Sequence, residues 1–356
     1  EWDRAVTQPV KSNSKIAYVI GDDIATTLAY SFDGTYHFLY EALYEQKESL
    51  GHIGTSYDML YLSDIEDGFA REYDVYLILA TNISEKQKAA INKYLKKDGK
   101  TIIWVGVPGI YGADGTMSVD YVSALTDITL AKAPSSNYGI KIIGNDTYTK
   151  GLDGKLYGRI NSTKVDPMFY VTDKSAETLG KIYNSNLTGL AVKAVQTKDG
   201  GYYMSIYSAV GNIPEELLRN ILRVCGVKLV ESENDVVFRN SDYVSVASPY
   251  GGKKTIEFDT KVDVYDVFKG EYIAKNVSKV EVETEAGTTL LLRTEKHVND
   301  PKPTPDDSSS DTDSSGNSGS GPHKGACNSA IGNASAALGL LVISAAAVTI
   351  FRRKRG

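Results

Sequence analysis

The segment Asp74–Gly109 constrains the fold of this chain more than any other stretch. It opens with Val75–Ala80, a continuous apolar run that is too short for a helix and typical of a strand covered on both faces. Ser84 and Gln87 follow with the spacing of a capping box, which predicts that a helix begins there. Thr101–Val105 is a second apolar strand. This succession predicts a right-handed βαβ unit and therefore a parallel sheet.

The stretch before this unit shows the same alternation of elements. Lys15–Ile20 and Ser56–Leu62 are short apolar runs that predict strands, and the segment around Tyr36–Glu48 between them predicts a helix. Asp64–Phe69 is acidic and is interpreted as a loop. The order of elements predicts an open, mostly parallel α/β sheet for a domain that spans residues 15–227. Residues 1–14 are interpreted as an N-terminal connection from something upstream.

The second half of this domain predicts shorter elements. Val119–Thr126 predicts a helix, and Pro214 opens another whose apolar face includes Cys225, so this thiol is expected in the core. Asp199-Gly200-Gly201 predicts a hairpin turn. Short apolar runs predict strands at Leu130–Ala133, Ile140–Gly144, Phe169–Thr172, Leu187–Gln196 and Tyr202–Tyr207.

Residues 228–297 predict a small all-β domain. Glycine-containing turns at Gly251-Gly252, Lys269-Gly270 and Ala286-Gly287 separate short alternating runs. This pattern predicts an antiparallel β-sandwich. The predicted strands are Asp235–Arg239, Tyr243–Ala247, Thr255–Phe258, Val262–Val267, Val277–Val282 and Thr288–Thr294.

The C-terminal segment predicts a membrane anchor. Residues 298–329 are dominated by Ser, Gly, Pro and Asp, and they carry too few apolar side chains to offset chain entropy, so they predict a disordered linker. Residues 330–351 are apolar, uncharged and long enough for a transmembrane helix, which takes about 20 residues. The basic run in residues 352–356 predicts a cytoplasmic C-terminus at the cell membrane, with the bulk of the chain extracellular.

Composition and missing motifs exclude several classes of function. A formal net charge of −6 gives no support for nucleic-acid binding, which usually shows a basic stripe. Two cysteines, Cys225 and Cys327, are too few for a zinc site made of cysteines, and no metal site is expected. The sequence lacks a Walker loop, a G-x-G-x-x-G after the first strand and a G-x-S-x-G elbow, so no cofactor is expected.

Asp22 and Asp23 are the strongest ligand-site candidates among the carboxylates. They follow the first predicted strand, at the end of the sheet where open α/β proteins bind ligands. A loop or helix-capping role is the favoured interpretation of this pair, and a ligand-binding role is the alternative.

The run YDVYLILATNISEKQKAAINKYLKKDGKTIIWVGVPGIYG resembles the trimerisation domain of bacterial beta-galactosidases and related glycoside hydrolases. The resemblance continues through Asp166–Phe169, the IPEELLRNILRVCGV helix and the DVVFRNSDYVSVAS strands, and it covers about Lys15 to Thr294. It implies a class I glutamine-amidotransferase-like, flavodoxin-like α/β fold, followed by a small β-sandwich. It also implies a homo-oligomer with a catalytic TIM barrel upstream of Glu1, which would explain why the chain does not begin with Met.

The chain departs from true amidotransferases at the positions that perform catalysis. Those enzymes carry a nucleophilic cysteine in the tight turn after the strand equivalent to Thr101–Val105, whereas this turn reads Gly106-Val107-Pro108-Gly109. The catalytic His-x-Glu is also absent. No catalytic residue is therefore expected in this chain. The tail resembles the C-terminal anchors of Gram-positive surface proteins, but it has no L-P-x-T-G motif, which favours a retained membrane helix.

These observations predict the non-catalytic C-terminal oligomerisation region of a surface-anchored glycoside hydrolase. Its strand-end loops, which include Asp22, Asp23 and Tyr111, are expected to wall the substrate cleft. The alternative is a membrane-tethered module that binds a glycan or another ligand without cleaving it. An active amidotransferase-like enzyme is a third interpretation.

Overall fold

The computed structural model describes residues 11–24, 40–68, 72–134, 138–145, 147–158, 166–232 and 234–297. The predicted linker at 298–329, membrane helix at 330–351 and basic tail at 352–356 lie outside these residues. Within the described ranges, no helix is both long and apolar enough to cross a membrane. In chain order, the elements are β1 (Ile16–Ile20), α1 (a π-helical turn, Glu41–Glu45, continued by the α-helix Gln46–Gly51), β2 (Tyr57–Tyr61), α2 (Leu62–Glu66), β3 (Val75–Leu79), α3 (Glu85–Ala90, continued by the π-helical turn Ile91–Leu95), β4 (Thr101–Val105), α4 (Val119–Thr126), β5 (Leu130–Lys132), β6 (Ile140–Ile142), β7 (Leu156–Tyr157), β8 (Phe169–Val171), β9 (Glu177–Ile182), β10 (Thr188–Gln196), β11 (Tyr202–Ser208), α5 (Glu215–Val224), β12 (Val230–Glu231), β13 (Val236–Arg239), β14 (Tyr243–Ser248), β15 (Gly252–Asp266), β16 (Glu271–Thr284) and β17 (Thr288–Lys296).

The predicted βαβ unit is confirmed as β3-α3-β4. Every residue of β3 and of β4 is buried, as expected for strands covered on both faces. The capping box is present, because Ser84 Oγ accepts from Gln87 N (3.1 Å) and Gln87 Oε1 accepts from Ser84 N (3.0 Å). In the described part of the sheet, the parallel strands follow the order β2-β1-β3-β4-β11, which is the flavodoxin-like order.

The expectation of a mostly parallel sheet is wrong. The sheet that the described residues form has eleven strands, and β5 to β10 extend it beyond β11 through antiparallel pairs. The reason is the connection between strands: β9, β10 and β11 pair directly with one another as consecutive antiparallel strands, without the crossover helices that parallel pairs need. The turn Asp199-Gly200-Gly201 joins β10 to β11 as predicted, and Gly200 supplies the left-handed backbone (φ +88°) that this turn requires. The α/β domain is therefore mixed.

The predicted β-sandwich is a single antiparallel sheet instead. Hydrogen-bonded ladders connect β12 to β17 in the described residues, with β15 paired to β12, β16 and β17. Two strands that were predicted separately, Thr255–Phe258 and Val262–Val267, belong mainly to this one long β15, whose register is irregular between Glu257 and Val262. The irregularity bends the strand, so both halves of the sheet cover one apolar core in a barrel-like arrangement.

Three smaller expectations are resolved by local contacts. The segment Asp64–Phe69 was predicted as a loop, but α2 occupies its first residues because Asp64 Oδ2 accepts from Tyr61 N (2.7 Å) at the helix start. Pro214 is the N-cap of α5 and not its first residue, so the helix begins one residue later than predicted, at Glu215. Cys225 packs against the core of the α/β domain as predicted, and burial raises the pKa of its thiol to about 11.

The α/β part and the β part of the chain belong to one compact unit, and they meet where α5 lies against β12 and the turn before β2. The backbone N–H of Val230 donates to the carbonyl of Gly54 (2.8 Å). Arg219, on α5, donates to the carbonyl of Val230 (2.9 Å) and to the Glu231 carboxylate (3.2 Å). These bonds join α5, the turn before β2 and β12 in one network.

Candidate functional site

Asp22 lies directly after β1 and is engaged by two neighbouring helices. Its carboxylate accepts from the backbone N–H (3.2 Å) and the hydroxyl of Ser63 in the first turn of α2. It also accepts from the side-chain amide of Gln87 (2.7 Å) in the first turn of α3. Carboxylates near helix N-termini are stabilising because they satisfy donors and oppose the helix dipole. The structure therefore gives Asp22 the helix-capping role that the sequence favoured.

Asp23 is in a different environment, although it is the next residue. Its side chain is half-buried, and burial raises the pKa of its carboxyl, against the opposing effect of hydrogen bonds that include one from the Asn82 side chain. Asp22 beside it raises the pKa of Asp23 further through charge repulsion. A half-buried carboxyl group with a raised pKa at the end of a parallel strand is a candidate for ligand binding.

Asp23 lies at the topological switch point of the sheet. In the order β2-β1-β3-β4-β11 the chain leaves β1 in one direction and β3 in the other, and α/β proteins bind ligands where the order reverses. The end of β1 is tightly packed against the end of β3, because a Cβ on Gly21 would lie 3.2 Å from the Cβ of Ala80. The backbone N–H of Gly109 donates to the Ala80 carbonyl (3.0 Å), so the loop after β4 reaches the same point.

Tyr111 lies on that loop, between β4 and α4. It forms an isolated bridge with Met117, and 38% of its side chain is exposed. Among the described interactions, none joins Tyr111 to Asp22 or Asp23. The structure thus brings the two aspartates together with Ser63, Asn82 and Gln87. Tyr111 lies apart from them, on the loop between β4 and α4.

The turn at Gly106–Gly109 carries no nucleophile. Gly106 N donates to the Ser208 carbonyl (2.8 Å), and the Tyr207 hydroxyl donates to the Gly106 carbonyl (2.7 Å), so β11 holds the turn in place. The thiol of Cys225 lies elsewhere, 3.4 Å from the Thr101 hydroxyl. In the described chain, no group of three or more His, Cys, Asp or Glu side chains is placed to hold a metal ion.

One buried acid beside the carboxyl end of the sheet was missed by the sequence analysis. Glu41 is 1% exposed at the start of α1 and hydrogen-bonds the hydroxyl of Tyr138, which also accepts from Gly211 N (2.9 Å) just after β11. Burial, and next the charge of Glu41, raise the pKa of Tyr138 well above its usual value. No motif marks these residues, since Glu41 looks like an ordinary helical surface residue in the sequence.

Comparison with known proteins finds similarity at the level of structure alone. No protein-family model and no curated protein sequence matches the chain. A beta-galactosidase from Bacillus circulans sp. alkalophilus superposes with a TM-score of 0.55 at 14% identity, over 82% of this chain and 42% of that one. A beta-galactosidase from Rahnella sp. R3 gives 0.54 at 11% identity, over 81% and 42%. A catalytic mutant of Gan42B, a GH42 beta-galactosidase from G. stearothermophilus, gives 0.52 at 11%, over 80% and 40%. The chain therefore shares its fold with a region of beta-galactosidases, including a GH42 enzyme, and spans about two fifths of their length.

Proposed function

We propose that this chain is the non-catalytic C-terminal region of a beta-galactosidase-like glycoside hydrolase. The observation that carries the proposal is the superposition of 82% of this chain on 42% of a beta-galactosidase. Such a partial match fits a chain that supplies the accessory domains and not the whole enzyme. The turn at Gly106–Gly109 supports the same conclusion, because it replaces the amidotransferase nucleophile with residues that have no reactive side chain.

The proposed partners are an upstream TIM barrel and further copies of the same protein. The remaining length of the matched beta-galactosidases leaves room for a catalytic barrel, which is where two glycosidase carboxylates are expected. The mixed α/β domain would mediate the assembly of copies and pack beside the barrel. In this arrangement, the loops with Asp22, Asp23 and Tyr111 would border the substrate cleft.

The surface location is a further part of the proposal. It is supported by the apolar run at residues 330–351 and the basic residues at 352–356, since a cationic end marks the cytoplasmic side of a membrane helix. Protease treatment of intact cells tests it. We expect the domain at residues 15–297 to be released from the cell surface, and protection of that domain until the cells are lysed would contradict the location.

Hydrolysis of a chromogenic β-galactoside tests the catalytic assignment. We expect the protein encoded by the full reading frame to hydrolyse the substrate and the 356-residue chain alone to be inactive. Light scattering on both proteins would show whether the chain is sufficient to form the oligomer. Hydrolysis by the 356-residue chain alone would refute the non-catalytic role.

A membrane-tethered binding module is the second candidate. The half-buried carboxyl of Asp23 at the switch point favours it, because this is where α/β proteins of this order bind ligands. A full reading frame without a barrel would select this candidate over the first. Glutaminase activity of the chain would instead revive the amidotransferase interpretation.

A further inference from the structure

A second cleft lies where the α/β domain meets the β domain, beside the start of β2. Its volume is about 540 Å³, within the range of small-ligand sites in proteins. The loop with Asp22 and Asp23 lies at the opposite, carboxyl end of the same parallel strands, so the two sites are separate. The residues that line the cleft include Tyr57, Asp58, Phe238, Arg239, Asn240 and Ser245.

An exposed aromatic ring forms one wall of this cleft. Phe238 lies on β13, an edge strand of the β-domain sheet, and 63% of its side chain is exposed. Tyr57 on β2 is only partly exposed, and burial raises the pKa of its hydroxyl, which therefore stays protonated and able to donate. An apolar face next to a hydroxyl suits a ligand that is itself apolar on one side and polar at its edge.

The carboxylate of the cleft, Asp58, is already hydrogen-bonded within the protein. The Asp58 carboxylate accepts from the hydroxyls of Ser12 (3.0 Å), Ser14 (3.0 Å) and Tyr73 (2.8 Å). Three donors on one carboxylate fix its position and balance its charge. Asp58 therefore stiffens the wall and does not act as a counter-ion for a cationic ligand.

The guanidinium of the cleft, Arg239, is hydrogen-bonded within the protein as well. The Arg239 guanidinium donates to the carbonyls of Lys228 (2.9 Å) and Glu257 (2.6 Å), and it lies 5.8 Å from the centre of the Phe258 ring. With one carboxylate and one guanidinium both held in protein contacts, the cleft is matched to a neutral ligand and not to an anion such as phosphate.

Uncharged hydrogen-bonding groups remain along the cleft. Asn240 Oδ1 accepts from the backbone N–H groups of Asp242 (2.9 Å) and Tyr243 (2.8 Å), which sets the amide orientation and leaves Nδ2 as its donor. Within the described ranges, the hydroxyls of Tyr57 and Ser245 are not hydrogen-bonded to any residue. A hydroxyl group of a ligand both donates and accepts, so it matches amide and hydroxyl partners equally well.

We propose that this cleft binds a short neutral saccharide, with one sugar ring stacked on Phe238 and its hydroxyl groups bonded by Tyr57, Asn240 and Ser245. The ring supplies the apolar C–H face that an aromatic wall requires, and its rim supplies hydroxyls.

The test uses the full 356-residue chain on an array of neutral oligosaccharides, followed by calorimetry with the oligosaccharide that binds best. Phe238→Ala is expected to weaken binding about tenfold or more, because it removes the stacking surface. Phe268→Ala is the matched control, since Phe268 is 68% exposed but lies in the turn between β15 and β16. We expect this control to retain the original affinity. Both rings are exposed, so neither change should disturb folding, which circular dichroism checks.

Two results would overturn the proposal: no neutral oligosaccharide binds the chain, or Phe238→Ala binds as well as the original chain. If Phe238→Ala also reduces the molar mass in solution, the ring belongs to a contact between copies of the chain. The outcome is also distinct from that of the proposed function, which is judged by hydrolysis with the full reading frame. If the chain binds the saccharide and the full-length protein does not hydrolyse the β-galactoside, the saccharide site is retained and the glycosidase proposal is refuted.

Discussion

Gly54 and Arg219 approach each other too closely for any side chain at position 54. A Cβ atom on Gly54 would lie 2.6 Å from Nη1 of Arg219 and 2.7 Å from the Val230 carbonyl oxygen. The backbone at Gly54 is also left-handed, with φ of +81°. This close approach is what allows the Gly54 carbonyl to accept from Val230 N at the junction of the two domains.

Gly54→Ala is therefore expected to lower the free energy of unfolding by about 3 kcal/mol, because backbone strain and a clash with the Val230 backbone act together. Urea denaturation measures the loss. Gly99→Ala is the matched control: its φ is +73°, but no other atom lies within 4 Å of the added methyl group. We expect only the strain cost there, about 1 kcal/mol. Equal losses of unfolding free energy in the two variants would contradict the close approach of Arg219 and Val230 to Gly54.

Arg219 itself provides a second test of the junction. Its side chain is 10% exposed, and it donates to Glu231, Val230 and the carbonyl of His52 (3.3 Å). Arg219→Met is expected to cost about 3 kcal/mol, because it leaves buried acceptors without a donor. Arg223 also pairs with Glu231 (2.7 Å) but is 42% exposed. We expect Arg223→Met to cost less than about 1 kcal/mol. A smaller loss at Arg219 than at Arg223 would show that the domains are held by other contacts.

The parts of the fold that the sequence predicts are those fixed by local patterns. The apolar runs of β3 and β4 and the Ser84–Gln87 capping box each act within a few residues, so they identify the βαβ unit directly. The antiparallel half depends on pairing between distant segments. Nothing within β15 shows that its two apolar runs form one bent strand, because its pairing with β12, β16 and β17 decides this.

In the candidate site, too, the local pattern predicts the position of the residues, whereas contacts between distant segments decide their surroundings. The position of Asp22 and Asp23 at the end of β1 follows from the strand pattern and is confirmed. Their different surroundings do not follow from it, since Ser63, Gln87 and Asn82 come from other loops. The substrate-cleft role of both aspartates stays a prediction.

Asp173 is expected to make the fold sensitive to acid. Burial by itself raises the pKa of its carboxyl, but hydrogen bonds from Lys193, Ser175 and the backbone of Thr129 outweigh burial and hold the pKa well below its usual range. The carboxylate therefore stabilises the fold above its unfolded-state pKa of about 4, and this contribution is lost as the pH falls through the lower folded-state value.

Asp173→Asn should lower stability at pH 7 and flatten the loss of stability below about pH 4. Thermal unfolding followed from pH 7 to about pH 2 measures both effects. Glu85→Gln is the control, because Glu85 is 74% exposed in its pair with Lys88 (2.7 Å) and should contribute less than about 1 kcal/mol. If stability falls with pH in Asp173→Asn as it does in the original chain, Asp173 does not cause the acid sensitivity.

Cys225 is expected to be a slow thiol in the folded protein. Burial raises its pKa to about 11, so about one molecule in a thousand carries the thiolate at pH 8, against about one in four for a free cysteine. In a Cys327→Ser background, labelling by Ellman's reagent should be at least about a hundredfold slower than for free cysteine and become fast in urea. Rapid labelling of the folded protein would contradict the burial of this thiol in the core.

Asp22 and Asp23 should respond to the same change with opposite signs. Asp22→Asn weakens the hydrogen bonds that Ser63 and Gln87 donate to this side chain, because an amide has one acceptor oxygen where a carboxylate has two. The change should lower the free energy of unfolding by about 1 kcal/mol. Burial raises the pKa of Asp23, so the folded protein binds this proton more tightly than the unfolded chain and loses stability as the pH rises past about 4.

Asp23→Asn should therefore stabilise the chain at pH 7, and this gain should disappear below about pH 4, where the carboxyl is protonated in both states. Urea denaturation at several pH values measures the difference from the original chain. Stabilisation by removing a carboxylate is typical of a residue kept for binding and not for folding. In the proposed full-length hydrolase, Asp23→Asn should raise KM for a β-galactoside more than Asp22→Asn does, because the Asp22 carboxylate is already bonded by Ser63 and Gln87. An unchanged KM in Asp23→Asn would place this residue away from the substrate.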